Sequence, residues 1–171
     1  MLHIRSEKQE DFDAIHAFVQ EAFATSSVSD GKEQDFVRQL RRSKGYIPGI
    51  ALVAENNGQI AGFIMLSQIF FNPEKGEPQP ALLLAPLCVH AACRGRKFGS
   101  MLTRAALNKA RTLGHKRVFV VGDPAFYARF GFRAAEEFSI ENTNGIPTRY
   151  LLALELAEGA FEGLGGTVSV L

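Results

Sequence analysis

The chain has 171 residues, 46% hydrophobic and 22% charged, and its 19 Lys and Arg stand against 18 Asp and Glu for a formal net charge of +1. That composition excludes a disordered or fibrous protein, and the near-neutral balance excludes a general nucleic-acid binder, which needs excess positive charge. One domain spanning residues 1–171 is expected, with a core large enough to fold without disulfide or metal; the only cysteines, Cys88 and Cys93, fit that expectation.

Along the chain, MLHIRSEKQEDF turns acidic early and has no apolar run, so neither a signal nor a transit peptide is expected at the start. The longest apolar stretch, Pro80 to Val89, is too short to cross a bilayer and contains Pro80 and Pro86. A cytoplasmic protein with reduced thiols and no membrane partner is the expectation.

Leu2 to Arg5 reads as a first strand. Ser6 through Asp11 supplies helix-start chemistry, after which Phe12, Ile15, Phe18, Val19, Ala22 and Phe23 recur at spacings of three and four, the mark of an amphipathic helix. Thr25 to Asp30 is a polar break, and Phe36, Val37 and Leu40 predict a second helix ended by Gly45 to Gly49. Ala51 to Glu55 and Gln59 to Ser67 are strand-like runs joined through Asn57-Gly58, a hairpin turn in which both positions take positive φ. Asn72 to Pro80 is predicted as a loop.

Ala81 to Val89 is apolar almost throughout, as suits a central strand covered on both faces. Pro86 cannot donate to a ladder, so the strand is expected to be bulged or splayed there. Phe98, Met101, Leu102, Ala105, Ala106, Ala110 and Leu113 form the stripe of a third helix, closed by Gly114. Val118 to Val121 is a strand, and Asp123-Pro124 starts a short helix bearing Phe126, Tyr127 and Phe130, stopped by Gly131. Phe138 to Ile140 and Tyr150 to Leu156 are closing strands, and Gly163 to Leu171 adds a turn and a last strand. An antiparallel run before a single crossover helix predicts a mixed sheet and not a doubly wound one.

Chemistry concentrates in residues 94–117, which hold eight of the 19 basic residues and no acidic one, leaving −7 for the rest of the chain. The segment opens with Arg94-Gly95-Arg96-Lys97-Phe98-Gly99-Ser100 between a strand and a helix, where backbone N–H groups and the helix dipole favour an anion such as phosphate. A basic helix is also the common form of a solvated surface, and the loop fits neither the Walker A nor the GxGxxG spacing. Cys88, His90 and Cys93 are too few for a structural zinc, so no metal is expected, and Cys88 reads as a small buried hydrophobe.

Leu87-Cys88-Val89 followed by Arg94 to Ser100 resembles the pyrophosphate-loop motif of the GNAT superfamily of acyl-CoA-dependent N-acyltransferases, and Phe126-Tyr127-Ala128-Arg129-Phe130-Gly131-Phe132 resembles its closing motif. Ala85-Pro86-Leu87 and Gly122-Asp123-Pro124 resemble its bacterial YhbS-like branch. The resemblance covers nearly the whole chain in element order and is specific over residues 82–132. One departure is that Lys97 stands where the family has its first loop glycine.

This resemblance implies an α/β (α+β) fold with a mixed, mostly antiparallel sheet of six to seven strands, about four helices and a splay between the two central strands. It implies acetyl-CoA as co-substrate and a primary amine of a small molecule or protein as acceptor, attacked directly in a ternary complex, in a monomer or homodimer. Leu87, Cys88, Val89, Arg94, Gly95, Arg96, Lys97, Phe98, Gly99, Ser100, Phe126, Tyr127 and Phe130 are the implied cofactor-binding residues, and Tyr127 the implied general acid. The general base stays open among Glu21, Asp30, Glu33, His90 and water. A non-catalytic acyl-CoA-binding module is the alternative.

Overall fold

A computed structural model describes residues 1–27 and 29–171, so Val28, inside the polar break after the first helix, lies outside the described residues. Two compact units are present, residues 1–67 with 85–109 and residues 68–84 with 110–171.

In the first unit, β1 (Leu2–Ser6) pairs antiparallel with β2 (Ala51–Asn56), and β2 with the start of β3 (Gln59–Pro73). The β2–β3 turn is the expected Asn57-Gly58, with φ of 54° and 78°. The end of β4 (Gln79–Val89) follows β3 in strand order. Two helices, α1 (Phe12–Phe23) and α2 (Glu33–Arg42), cover one face. There Ile15, Phe18, Val19 and Val37 pack on Val53, Phe63, Met65 and Cys88. Each large apolar side chain buried this way contributes roughly 1.5–3 kcal/mol. α3 (Phe98–Thr112) approaches β3 closely at Gly62, where a β-carbon would stand 2.7 Å from Leu102 Cδ1.

In the second unit, the start of β4 pairs parallel with β5 (Arg117–Val121) through Leu82–Val118 and Leu83–Phe119. These two pairs lie near the start of β4, which runs on past Pro86 to Val89. β8 (Leu151–Glu155) lies antiparallel to β5 and carries β6 (Arg133–Ala134) on its other side. β7 (Ile140–Asn142) pairs parallel with β9 (Gly166–Val168), which pairs antiparallel with the end of β3. Asp123 caps the short α4 (Pro124–Tyr127) as expected, its carboxylate accepting from the Ala125 N–H at 2.9 Å. Gly131, at φ 97°, ends the 3-10 turn that follows. Phe71, Phe119 and Phe161 form an edge-on core beside the buried Arg117, which donates to Ala160 O at 2.7 Å.

The pairing is mostly antiparallel with four α-helices, the mixed α/β architecture expected. Nine strands are described where six or seven were expected, because β6, β7 and β9 have only two or three residues each. The predicted Asn72–Pro80 loop is shorter, since β3 extends to Pro73 by pairing with β9 and β4 already begins at Gln79. Phe138 lies in a 3-10 turn and not in a strand, because Ser139 takes the left-handed conformation at φ 60° and β7 starts only after it.

Candidate active site

The end of β4 leads through a short 3-10 turn into α3. His90 N–H donates to Ala61 O at 2.8 Å, and His90 Nδ1 accepts from the Ala92 N–H at 3.1 Å, which pins the turn to β3. Cys93 is buried with Ala61 and Phe98, and holds the far side of the turn. From Arg94 the chain crosses two left-handed residues, Gly95 at φ 82° and Lys97 at φ 66°, before α3 begins at Phe98. Lys97 therefore takes the conformation for which glycine is the usual residue, at a cost of roughly 1 kcal/mol. The first amides of a helix lack intrahelical acceptors, and here two exposed cationic residues, Arg96 and Lys97, immediately precede that end. An oxyanion or phosphate is the ligand such an arrangement suits.

Leu87, Cys88 and Val89 at the end of β4 line a cavity of about 460 Å³ together with Arg94. The end of α1 and the hydroxyl-bearing segment Thr25, Ser26 and Ser27 line it as well. A smaller cavity of about 150 Å³ shares Ala22, Thr25 and Arg94 with it and is lined further by Phe18, Glu21 and His90. Burial pushes the Cys88 thiol up to about 12, against which the Arg94 charge works only in part, so at neutral pH it is a thiol and no nucleophile.

The candidate bases separate. Asp30 Oδ1 accepts from the Lys32 N–H at 2.8 Å, and Glu33 accepts from Ser29 Oγ at 2.6 Å and the Asp30 N–H at 3.3 Å, so both serve the α1–α2 link. Glu21 and His90 are brought into one cavity. The neutral His90 ring, accepting at Nδ1, carries its proton on Nε2 and has no lone pair there to take another. Glu21 is left as the carboxylate facing the cavity.

In the second unit, Phe126, Tyr127 and Phe130 form one aromatic cluster. The Tyr127 ring stands edge-on to Phe126 at 4.9 Å and to Phe132 at 5.5 Å, with Phe130 at 6.4 Å. Burial raises its phenol to about 12. Such a group stays protonated at neutral pH and can donate a proton to a stronger base. The Thr25–Ser27 wall carried no motif in the sequence. Nor did the hydrogen bond from Arg94 Nη2 to Ala22 O at 3.1 Å, which joins residues 72 positions apart.

The model of the Acetyltransferase (GNAT) family matches residues 12–132. The chain belongs to the GNAT acetyltransferase family. Among its relatives, the N-acetyltransferase YhbS of Escherichia coli, itself described as uncharacterized, is 27% identical over 96% of this chain and 93% of its own length. YjhQ of Escherichia coli, described in the same words, is 32% identical over 63% of this chain but only 59% of its own length. Among solved GNAT structures, YhbS in complex with CoA superposes with a TM-score of 0.85 over 98% of this chain and 88% of the other, at 27% identity. A Brucella melitensis GNAT acetyltransferase in complex with acetyl-CoA gives 0.76 over 92% and 89%, at 29% identity.

Proposed function

We propose that this GNAT protein is a single-domain cytoplasmic enzyme that transfers an acetyl group from acetyl-CoA to a primary amine of a small molecule or protein. The observation that carries the reading is the cationic, doubly left-handed loop at the start of α3, which follows directly on a strand end lining a 460 Å³ cavity. The CoA and acetyl-CoA complexes of the two solved relatives support it.

In this reading the residues fit the co-substrate as follows. Amides of Arg94 to Ser100, with the Arg96 and Lys97 cations and the α3 dipole, hold the pyrophosphate. Backbone groups of Leu87 to Val89 pair with the pantetheine arm, and an N–H there polarises the thioester carbonyl. Phe126 and Phe130 pack beside the bound co-substrate. A substrate ammonium first gives up a proton to the Glu21 carboxylate or to water, and the free amine lone pair then forms the new C–N bond at the carbonyl carbon, leaving a tetrahedral oxyanion. The C–S bond breaks as Tyr127 Oη–H gives its proton to the leaving thiolate, and the second proton that the nitrogen sheds on becoming an amide restores the phenol. The −7 charge outside residues 94–117 favours cationic amines as acceptors.

Calorimetry with acetyl-CoA tests the binding half. Thiol release on a panel comprising spermidine, tyramine, an aminoglycoside and a peptide with a free N-terminus tests the chemical half. Tyr127→Phe is expected to lower kcat by about a hundredfold while the affinity for CoA changes less than about twofold. Binding without turnover on any amine would convert the reading to an acyl-CoA-binding module. Absence of binding would end both.

A further inference from the structure

The C-terminal turn of α1 is stabilised from outside its own sequence. No basic residue occupies that turn, and its cap, Ala24, is in the right-handed helical region and not the left-handed one that closes many helices. Two of the terminal carbonyls are satisfied locally: Glu21 O accepts from the Ala24 N–H at 3.2 Å and Phe23 O from the Ser26 N–H at 3.1 Å. The carbonyl between them, Ala22 O, accepts from Arg94 Nη2 at 3.1 Å. Arg94 thus brings both a donor and a cation to the negative end of the helix.

The base of this side chain is fixed. Arg94 follows the turn pinned by His90 to Ala61 and by the buried Cys93, so its Cα has little freedom to follow α1 if α1 moves. Beyond Ala22 the chain runs into Thr25, Ser26 and Ser27, which line the larger cavity with Leu87 to Val89, and Arg94 itself lines both cavities.

We propose that Arg94 is a positioning residue for the acceptor: its guanidinium clamps the last turn of α1 and thereby sets the distance of the Thr25–Ser27 wall from the end of β4. Its meaning for catalysis rests on the acetyl-transfer reading; its structural content does not. The loop then divides its labour. Backbone amides with Arg96 and Lys97 serve the phosphates, while the Arg94 side chain faces the other way and holds the wall against which the amine sits.

Hydrogen exchange on the ligand-free protein is the direct test. In Arg94→Gln the amides of Ala24 and Ser26 are expected to exchange about tenfold faster than in the wild type, with exchange in β3 unchanged, and Arg94→Lys is expected to recover most of the protection because it restores a charged donor. Calorimetry with CoA should show affinities within about threefold for all three proteins. With the fastest amine of the panel above, Arg94→Gln should raise the KM for amine about tenfold and leave the KM for acetyl-CoA within about threefold. Unchanged exchange at Ala24 and Ser26 overturns the proposal, as does a large loss of CoA affinity that Arg94→Lys repairs, which would put the side chain on the phosphates. Failure of the wild type to bind CoA would instead count against the acetyl-transfer reading and leave the exchange result standing.

Discussion

Gly122 and Tyr127 share a space that admits only one side chain: a β-carbon on Gly122 would stand 2.6 Å from Tyr127 Cε2 and 3.2 Å from Cδ2. The Gly122 backbone is tied down by its N–H bond to Tyr150 O at 3.0 Å, so a clash is relieved by the ring and not by the strand end. Gly122→Ala should therefore cost about 1–3 kcal/mol in urea unfolding by overpacking. It should also lower thiol release by about a hundredfold, since misplacement of a reacting group by about 1 Å has that effect. Wild-type turnover in Gly122→Ala would argue that the phenol of Tyr127 does not need its present position.

Two buried acids, Cys88 and Tyr127, predict a loss of stability in alkali. Burial raises the Cys88 thiol from 9.0 to about 12 and the Tyr127 phenol from 10.0 to about 12. Both groups bind their protons more tightly folded than unfolded, so the stability they contribute is full below about pH 9 and drains as pH rises toward about 12, by up to about 1.4 kcal/mol per pH unit for each group. Urea unfolding of the wild type, Cys88→Ala and Tyr127→Phe from neutral to strongly alkaline pH checks this. Each variant should show a shallower decline than the wild type above its group's unfolded value. Parallel declines in all three would contradict the assignment.

Lys97 is exposed and held at φ 66°, so replacing it loses little packing and removes a conformational penalty. Lys97→Gly is expected to raise the unfolding free energy by about 1 kcal/mol, less the entropy that glycine adds to the unfolded chain. The same variant lowers CoA affinity if the ammonium contacts a phosphate and leaves it unchanged if only the backbone does. A clear fall in stability would mean that the left-handed conformation is not what lysine strains against.

Local features were the legible ones. The three-and-four stripe of α1, the Asn57-Gly58 turn, the Asp123 cap and the cationic loop at α3 depend on residues a few positions apart, and each stands where the sequence predicts. The extension of β3 was hidden because Phe71 needs Val168 as its partner, far along the chain. The Thr25–Ser27 side of the larger cavity was hidden for the same reason: these residues share a cavity with the end of β4 only once the chain is folded. The base candidates could not be sorted from composition, since what distinguishes His90 from Glu21 is a hydrogen bond from the Ala92 amide.

The buried ion pair of the first unit gives the last prediction, and it concerns how α2 is held. The Glu7 side chain is fully buried and accepts from Arg41 Nη2 at 2.7 Å, from Arg41 Nε at 3.1 Å and from the Tyr46 hydroxyl. Arg41 also stacks over the Phe12 ring at 4.0 Å, joining the end of α2 to the start of α1 and the end of β1. Removing one partner strands a charge in the interior, so Arg41→Gln should destabilise the protein by about 3–5 kcal/mol in urea. Replacing all three polar groups, as Glu7→Leu, Arg41→Met and Tyr46→Phe together, leaves no orphan and should recover most of that loss. A triple variant as unstable as Arg41→Gln would show that the network stabilises α2 beyond satisfying its own buried charges, and would make this pair a determinant of the fold and not a self-contained polar island.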